Sequence, residues 1–391
     1  MANSRVYLDH NASTALLEAA RQDMLVAMNL TGNPSSVHAN GRALANMVEK
    51  ARSNVADLVG AESSQIVFTS SASEAITQGI VGSVNHLGVK KIFLSAGEHA
   101  AVVAAAKISG VEIEYIALDE NGIIDLDALR NALGAYERFE NTALVCVHLV
   151  NGETGIVQPI EEIAALVEKT RHLLLVDGVQ AFGKMPIKFS ASEFDMLAIS
   201  AHKMGGPAGV GALVIKEHCN SAKIIPGGGQ EMGRRGGTPS VMLIAGFGAA
   251  AADILRFYDR DKLGGLIDRF ETGLLELDEG AVIFGSKAKR IGSVCYFAIA
   301  GISSETALIS LDLNGIAVSA GSACSSGKIS VSSVLKAMKI PNDMAKCALR
   351  ISVGWNSSEN DIDLALAALA KLFAKHKKEQ QIITPQIGKS S

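Results

Sequence analysis

Apolar runs short enough for strands alternate with helical periodicity as far as residue 215. Ile66-Val67-Phe68-Thr69 reads as a strand, and a helical pattern starts at about Ser73. Lys91 to Leu94 predicts a strand and Val102 to Ile108 a helix. Leu144 to Leu149 is apolar at successive positions, as a central parallel strand buried on both faces requires. Helical spacing returns over Ile160 to Thr170, followed by strand-like runs at Leu173 to Val176, Met196 to Ile199 and Ala212 to Ile215. The rhythm predicts an α/β fold with a mostly parallel sheet. Ligands gather at the carboxyl ends of strands in such sheets. After Ser240 the pattern changes to one long Ala- and Leu-rich helical tract reaching about Leu277. Val294 to Ile299, Ala317-Val318 and Leu349 to Val353 then read as strands among helices, which predicts a smaller α+β domain. The expected division is a large domain over 15–255, a small domain over 1–14 plus 256–376, and a tail over 377–391. From Lys375 the chain is polar and reads as frayed.

Composition narrows the classes of function. The 391 residues are 48% hydrophobic, enough for a sizeable core, and the formal net charge is −4. That charge argues against nucleic acid or an anionic membrane as a partner. Met1 to Tyr7 lacks the apolar core of a signal peptide. The most apolar window, Met242 to Ala252, is shorter than the ~20 residues a membrane span needs. The cysteines at 146, 219, 295, 324 and 347 are scattered, odd in number and free of CxxC pairs. Neither a disulfide framework nor a structural metal site is expected, and a reducing cytoplasm is the expected compartment.

The candidate chemistry sits at strand ends. Ser200-Ala201-His202-Lys203 follows one apolar run and precedes the turn Gly205 to Gly209. Lys203 is there either as a solvated loop charge or as an amine held for covalent chemistry. Asp177 ends the run Leu173 to Val176, one α/β unit earlier. The two residues form either an ion pair or the two ends of a pyridoxal phosphate (PLP) site. In the second case the carboxylate keeps the pyridine nitrogen protonated and the lysine forms a Schiff base. A phosphate would need donors, and Ser70 to Ala75, between a strand and a helix, offers hydroxyls and a helix N-terminus. Ordinary capping by serine explains the same residues. A second flexible segment, Gly227 to Thr238, carries hydroxyl and guanidinium groups, or is a solvated loop.

Three further residues stand out. His99, after the strand ending near Ser95, is either a structural histidine or a ring able to stack and move protons. Arg350, in a short β-like run, is either half of an ion pair or a fork for a carboxylate. Cys324 lies in Ser319 to Gly327, a Gly/Ser-rich segment without large apolar anchors, so an exposed, mobile and reactive thiol is expected. Cys146 and Cys295 sit in apolar runs and read as core.

Together these residues resemble the cysteine desulfurases of the class-V aminotransferase superfamily, PLP enzymes of fold type I. The resemblance runs from Tyr7-Leu8-Asp9 to about Leu364, and includes Gly32 to His38, Asn121 to Asp125 and Gly152 to Gly155. It is closest to the group whose long cysteine loop reads Ser-Gly-Ser-Ala-Cys-(Ser/Thr)-Ser, here Ala320 to Ser326. The resemblance implies that Lys203 forms the Schiff base, Asp177 pairs with the pyridine nitrogen, and Gln180 contacts the ring hydroxyl. It implies that His99 stacks on the ring and shuttles protons. Ser73, Ser200 and His202 would bind the phosphate, with Thr238 supplied by the second subunit of a homodimer. Asn33 and Arg350 would hold the carboxylate of L-cysteine. Cys324 would take its sulfur as a persulfide, leaving alanine, and pass it to an acceptor protein in iron–sulfur cluster assembly, tRNA thiolation or another pathway.

The sequence departs from the family pattern at four places. Gly152 stands where a second asparagine is usual, and Ala12-Ser13-Thr14-Ala15 replaces a motif ending in Thr-Thr-Pro. Trp355 replaces a common arginine, and Gln380 to Ser391 differs from the acceptor-docking tail of the housekeeping iron–sulfur enzymes. Two other readings compete. One is a class-V aminotransferase or selenocysteine lyase, set apart by Cys324 because a transaminase has no need for a loop thiol, and the other is a non-catalytic scaffold of the same fold, which would carry no PLP absorbance.

Overall fold

The computed structural model describes residues 5–137, 141–320 and 331–383. Cys324 lies outside the described residues. The chain starts with strand β1 (Val6–Tyr7) and helices α1 (Glu18–Met28) and α2 (Ala39–Val59). An alternating series follows: β2 (Ile66–Thr69), α3 (Ala72–His86), β3 (Val89–Ser95), α4 (Ala100–Ile108), β4 (Glu112–Ile116) and α5 (Leu126–Glu137). It continues through β5 (Thr142–His148), α6 (Ile160–Glu168), β6 (Leu173–Asp177), β7 (Met196–Ser200) and β8 (Gly211–Ile215).

These strands form one 7-stranded sheet in the order β2-β8-β7-β6-β5-β3-β4. β7, β6, β5, β3 and β4 run parallel, while β8 is antiparallel to both β2 and β7. The expected mostly parallel sheet is present. Alternate residues of β5 serve opposite faces, which explains its unbroken apolar run. Val145 and Val147 join the cluster that includes α2, α6 and Phe247, and Leu144 and Cys146 join the one that includes α3 and α4.

The tract after Ser240 is two helices, α7 (Val241–Phe257) and α8 (Arg260–Leu277), bent by 70°. Asp259 causes the break, because its side chain accepts the Asp261 and Lys262 N–H groups and starts a new helix. Among the described residues no single helix is long and apolar enough to cross a membrane.

The remainder contains β9 (Val282–Ile283), β10 (Val294–Ala298), α9 (Ser304–Leu313), β11 (Ile316–Ala317), α10 (Ser333–Ala337), α11 (Asn342–Ala345), β12 (Ala348–Ser352) and α12 (Glu359–Ile383). β12, β10 and β9 make a 3-stranded antiparallel sheet, and β1 pairs with β11. Val6, Leu8, Phe270, Phe297, Leu349 and Phe373 share an apolar cluster here. The reading of a frayed tail from Lys375 is corrected by α12, which stays helical to Ile383. Leu369, Leu372 and Phe373, all buried, anchor that helix along one side.

Candidate active site

Three parallel strands deliver polar side chains at their carboxyl ends. His148 closes β5, Asp177 closes β6 and Ser200 closes β7. His148 and Asp177 are register partners, and Lys203 follows Ser200 in the tight turn Ala201–Lys203. Lys203 Nζ donates to the carbonyls of Asn11 at 2.7 Å and Ala12 at 2.8 Å, so the segment after β1 closes over the lysine.

Asp177 is 7% exposed and its Oδ1 accepts the Val179 N–H at 3.0 Å. Burial holds its carboxyl above the ordinary value and the Glu98 carboxylate adds to this, against the Val179 N–H, His99 and His148. Glu98 bonds His148 at 2.6 Å, both side chains being buried. Burial opposes charge on His148, but Glu98 outweighs it and holds the imidazole above its ordinary value. His99 caps α4, its Nδ1 accepting the Ala101 N–H at 3.2 Å, and its ring is electrostatically coupled to Asp177 and Glu153.

Gln180 Nε2 donates to Asn11 O at 2.9 Å. Lys184, in the turn that follows Gln180, is 6% exposed and donates from Nζ to Gln180 Oε1 at 2.8 Å and Asn11 Oδ1 at 3.0 Å. Burial first, then the neighbouring Lys203 and Arg350, pull its amine down to about 7. His202 is pulled down to about 4 by burial and by Lys203 and Lys184.

Arg350, in β12, reaches the same place from the small sheet. Its Nη1 donates to Gly152 O at 3.0 Å and its Nη2 to Asp9 Oδ1 at 2.7 Å. Arg350 Nε is buried without a partner among the described residues. Glu153 accepts a bond from Ser332 and lies near Arg350 and His99, with burial raising its carboxyl.

Ser73 is in the first turn of α3, exposed, while Ser200 is buried. Gly211, the register partner of Ser200, lies against the start of α3. A Cβ on Gly211 would lie 2.7 Å from Ala72 N, Ser71 C and Ile199 O, so only glycine lets β8 pass this close to the helix start. Thr238 and Asn33 are both exposed. Asn33 is engaged locally, its Oδ1 accepting the Ser35 N–H at 2.8 Å.

These residues fit PLP. Asp177 is a buried carboxylate that gains from a cationic N–H donor, which a pyridinium ring supplies. The α3 N-terminus, with β8 passing close to it, suits a phosphate, and the Lys203 side chain carries an amine of the kind a Schiff base needs. Asn11, Lys184, Glu153 and the Glu98–His148 pair were not picked out from the sequence.

Comparison with known proteins agrees. The aminotransferase class-V family model matches residues 6–365. The cysteine desulfurase of Gluconacetobacter diazotrophicus is 36% identical, over 95% of this chain and 94% of its own. That of Cereibacter sphaeroides is 38% identical, over 93% and 95%. The NifS-like protein of Rickettsia africae superposes with a TM-score of 0.85 at 30% identity, covering 95% of this chain and 99% of its own. SspA, solved in complex with cysteine, superposes with a TM-score of 0.77 at 28% identity, over 90% and 99%. With this fold, this strand-end site and these relatives, the chain belongs to the PLP-dependent cysteine desulfurases of the class-V aminotransferase family.

Proposed function

We propose that the cluster around Lys203 and Asp177 is the desulfurase site, acting on L-cysteine. The observation that carries the assignment is the delivery of Asp177 and Lys203 from adjacent parallel strands, with Gln180 and Lys203 both ending on Asn11 O. The cysteine held by the similar SspA supports the substrate. Asp177, Gln180, Ser73, Ser200 and His202 hold the cofactor, joined by Thr238 of a second copy. The exposed run Leu25, Val26, Met28 and Leu30, on and just after α1, supports a homodimer. The break between α7 and α8 supports a large domain over 15–255 and a small one over 1–14 plus 256–376. Cytoplasmic residence and use of the sulfur in iron–sulfur cluster assembly complete the reading.

Bound PLP supplies an electron sink for the α-carbon of the substrate. The Arg350 fork binds the substrate carboxylate, with its buried Nε as the spare donor. Asn33 assists from the loop before α2. Lys203 Nζ takes the α-proton, and His99 moves protons beside Asp177. The Cys324 thiolate then attacks the substrate sulfur. An S–S bond forms as the Cβ–S bond breaks, its electron pair stays on carbon and a proton replaces the sulfur. Cysteine plus thiol thus gives alanine plus Cys324 persulfide, with no outside oxidant, and an acceptor protein takes the sulfur.

Replacement of Lys203 tests the site. Borohydride reduction of the wild-type holoenzyme should fix PLP on the Lys203 peptide, and Lys203→Ala should lose both the adduct and alanine formation. An adduct retained by Lys203→Ala would refute the assignment. Amino transfer to a keto acid without sulfur release would favour the aminotransferase reading, and absence of PLP absorbance the scaffold.

A further inference from the structure

Lys184 is a second buried amine beside Lys203, and the reaction as described does not use it. It forms no ion pair among the described residues. Its Nζ instead ends on two amide oxygens, Gln180 Oε1 at 2.8 Å and Asn11 Oδ1 at 3.0 Å. A buried ammonium without a carboxylate is costly, so a bland structural lysine is a poor explanation of the arrangement. The partners are informative. Asn11 O accepts both Gln180 Nε2 at 2.9 Å and Lys203 Nζ at 2.7 Å, and Asn11 Nδ2 donates to Gly152 O at 3.1 Å. Gly152 O in turn accepts from Arg350 Nη1 at 3.0 Å. One amide, Asn11, therefore touches the groups assigned to the cofactor ring and the amine, and shares Gly152 O with the group assigned to the substrate carboxylate. Lys184 fixes the side chain of that amide.

We propose that Lys184 is a positioning residue of the desulfurase, which locks Asn11 and Gln180 and sets the charge felt by Lys203. The proposal rests on the reading of Lys203 as the cofactor lysine. Three other cationic or titratable groups face this amine: His202 in the turn of Lys203, Arg350 from β12 and His10 from the segment after β1. Tyr258, at the end of α7, lines the same small cavity with Lys184 and Lys203. The lowered affinity of Lys184 for its proton means that the charge near Lys203 changes close to neutral pH. A positive neighbour disfavours a proton on the nitrogen of Lys203 and favours the neutral amine needed to accept the α-proton.

The experiment compares Lys184→Met and Lys184→Arg holoenzymes with wild type, following the pH midpoint of the visible PLP absorbance and alanine formation from L-cysteine. Lys184→Met should move the midpoint up by about one pH unit, because a nearby positive charge is lost. It should lower kcat by about tenfold or more, with KM changed less than about threefold. Lys184→Arg, whose charge persists at all working pH values, should hold the midpoint at or below the wild-type value, which a purely structural role does not require. A midpoint and kcat unchanged in Lys184→Met would overturn the proposal. Should that variant fail to fold, Asn11→Ala cuts the link and keeps the charge. It should lower kcat with the midpoint unmoved, and an unchanged kcat would overturn the link. Borohydride trapping separates the two levels: PLP fixed on Lys184 in wild type would refute the underlying reading, whereas PLP on Lys203 leaves the variants to judge Lys184.

Discussion

Arg350 in the small sheet grips Asp9 just after β1, its Nη2 donating to Oδ1 at 2.7 Å. The bond fixes the fork before substrate arrives, while Nε is a buried donor without a partner among the described residues. Lysine keeps the charge and loses the fork. Arg350→Lys is expected to raise KM for L-cysteine by about tenfold or more, with a smaller fall in kcat. Steady-state alanine formation measures both.

Gly211 and Gly152 predict opposite outcomes. Gly211→Ala drives a Cβ to 2.7 Å from backbone atoms of Ser71, Ala72 and Ile199, none of which is a flexible side-chain end. Overpacking of this kind costs roughly 1–3 kcal/mol, and PLP affinity should fall with it because the start of α3 is pushed away from β8. Unfolding of the apoprotein and PLP titration check both effects.

At Gly152 a Cβ would meet Gln180 Cγ and Nε2 at 3.5 Å, an ordinary contact. Gly152→Asn should therefore change apoprotein stability by less than about 0.5 kcal/mol. Its amide returns to a position where the family usually has one, so PLP affinity should hold or rise. Loss of folding would contradict the contact geometry.

The histidines predict an acid-sensitive fold. His10 is buried, and burial followed by Lys184 takes its imidazole from 6.5 to about 4, against the Tyr7 carbonyl and Asp361. Its folded-state value lies below the unfolded one, so the stability carried by neutral His10 is complete above pH 6.5 and is lost as pH falls towards 4. The loss is roughly 3 kcal/mol by the usual conversion. His202 acts in the same sense, and His148, raised by Glu98 against the effect of burial, acts in the opposite one. His10→Gln should flatten the fall in denaturation midpoint across this range, and an unchanged slope would contradict the assignment.

Strand-end chemistry was legible in the sequence because it coincides with the end of an apolar run. Leu173 to Val176 points straight at Asp177, and Met196 to Ile199 at Ser200 and Lys203. The edge strand β4 was less visible because Glu112, Ile113, Glu114 and Tyr115 are only partly buried or exposed, so their pattern is weak. The bend after α7 carried a local mark, the charged run Asp259 to Lys262, inside a tract whose helical spacing continues on both sides of it. Lys184 and Asn11 were invisible for a different reason. A lysine or asparagine carries no periodic mark of burial, and what makes these two informative is contact across 173 residues. Long-range pairing of that kind is set by the fold, not by local pattern.

Sulfur on Cys324 is the most direct test of the account. Of the remaining cysteines, Cys146, Cys219, Cys295 and Cys347 are all buried, and burial pushes the thiols of Cys146, Cys219 and Cys295 upward. After incubation of the PLP-loaded protein with L-cysteine, peptide mass spectrometry should find a gain of about 32 Da, one sulfur atom, on Cys324. The Cys324→Ala protein should carry no such mark and release no sulfide above background. The mark on another cysteine, or sulfide release at the wild-type rate from Cys324→Ala, would contradict the mechanism.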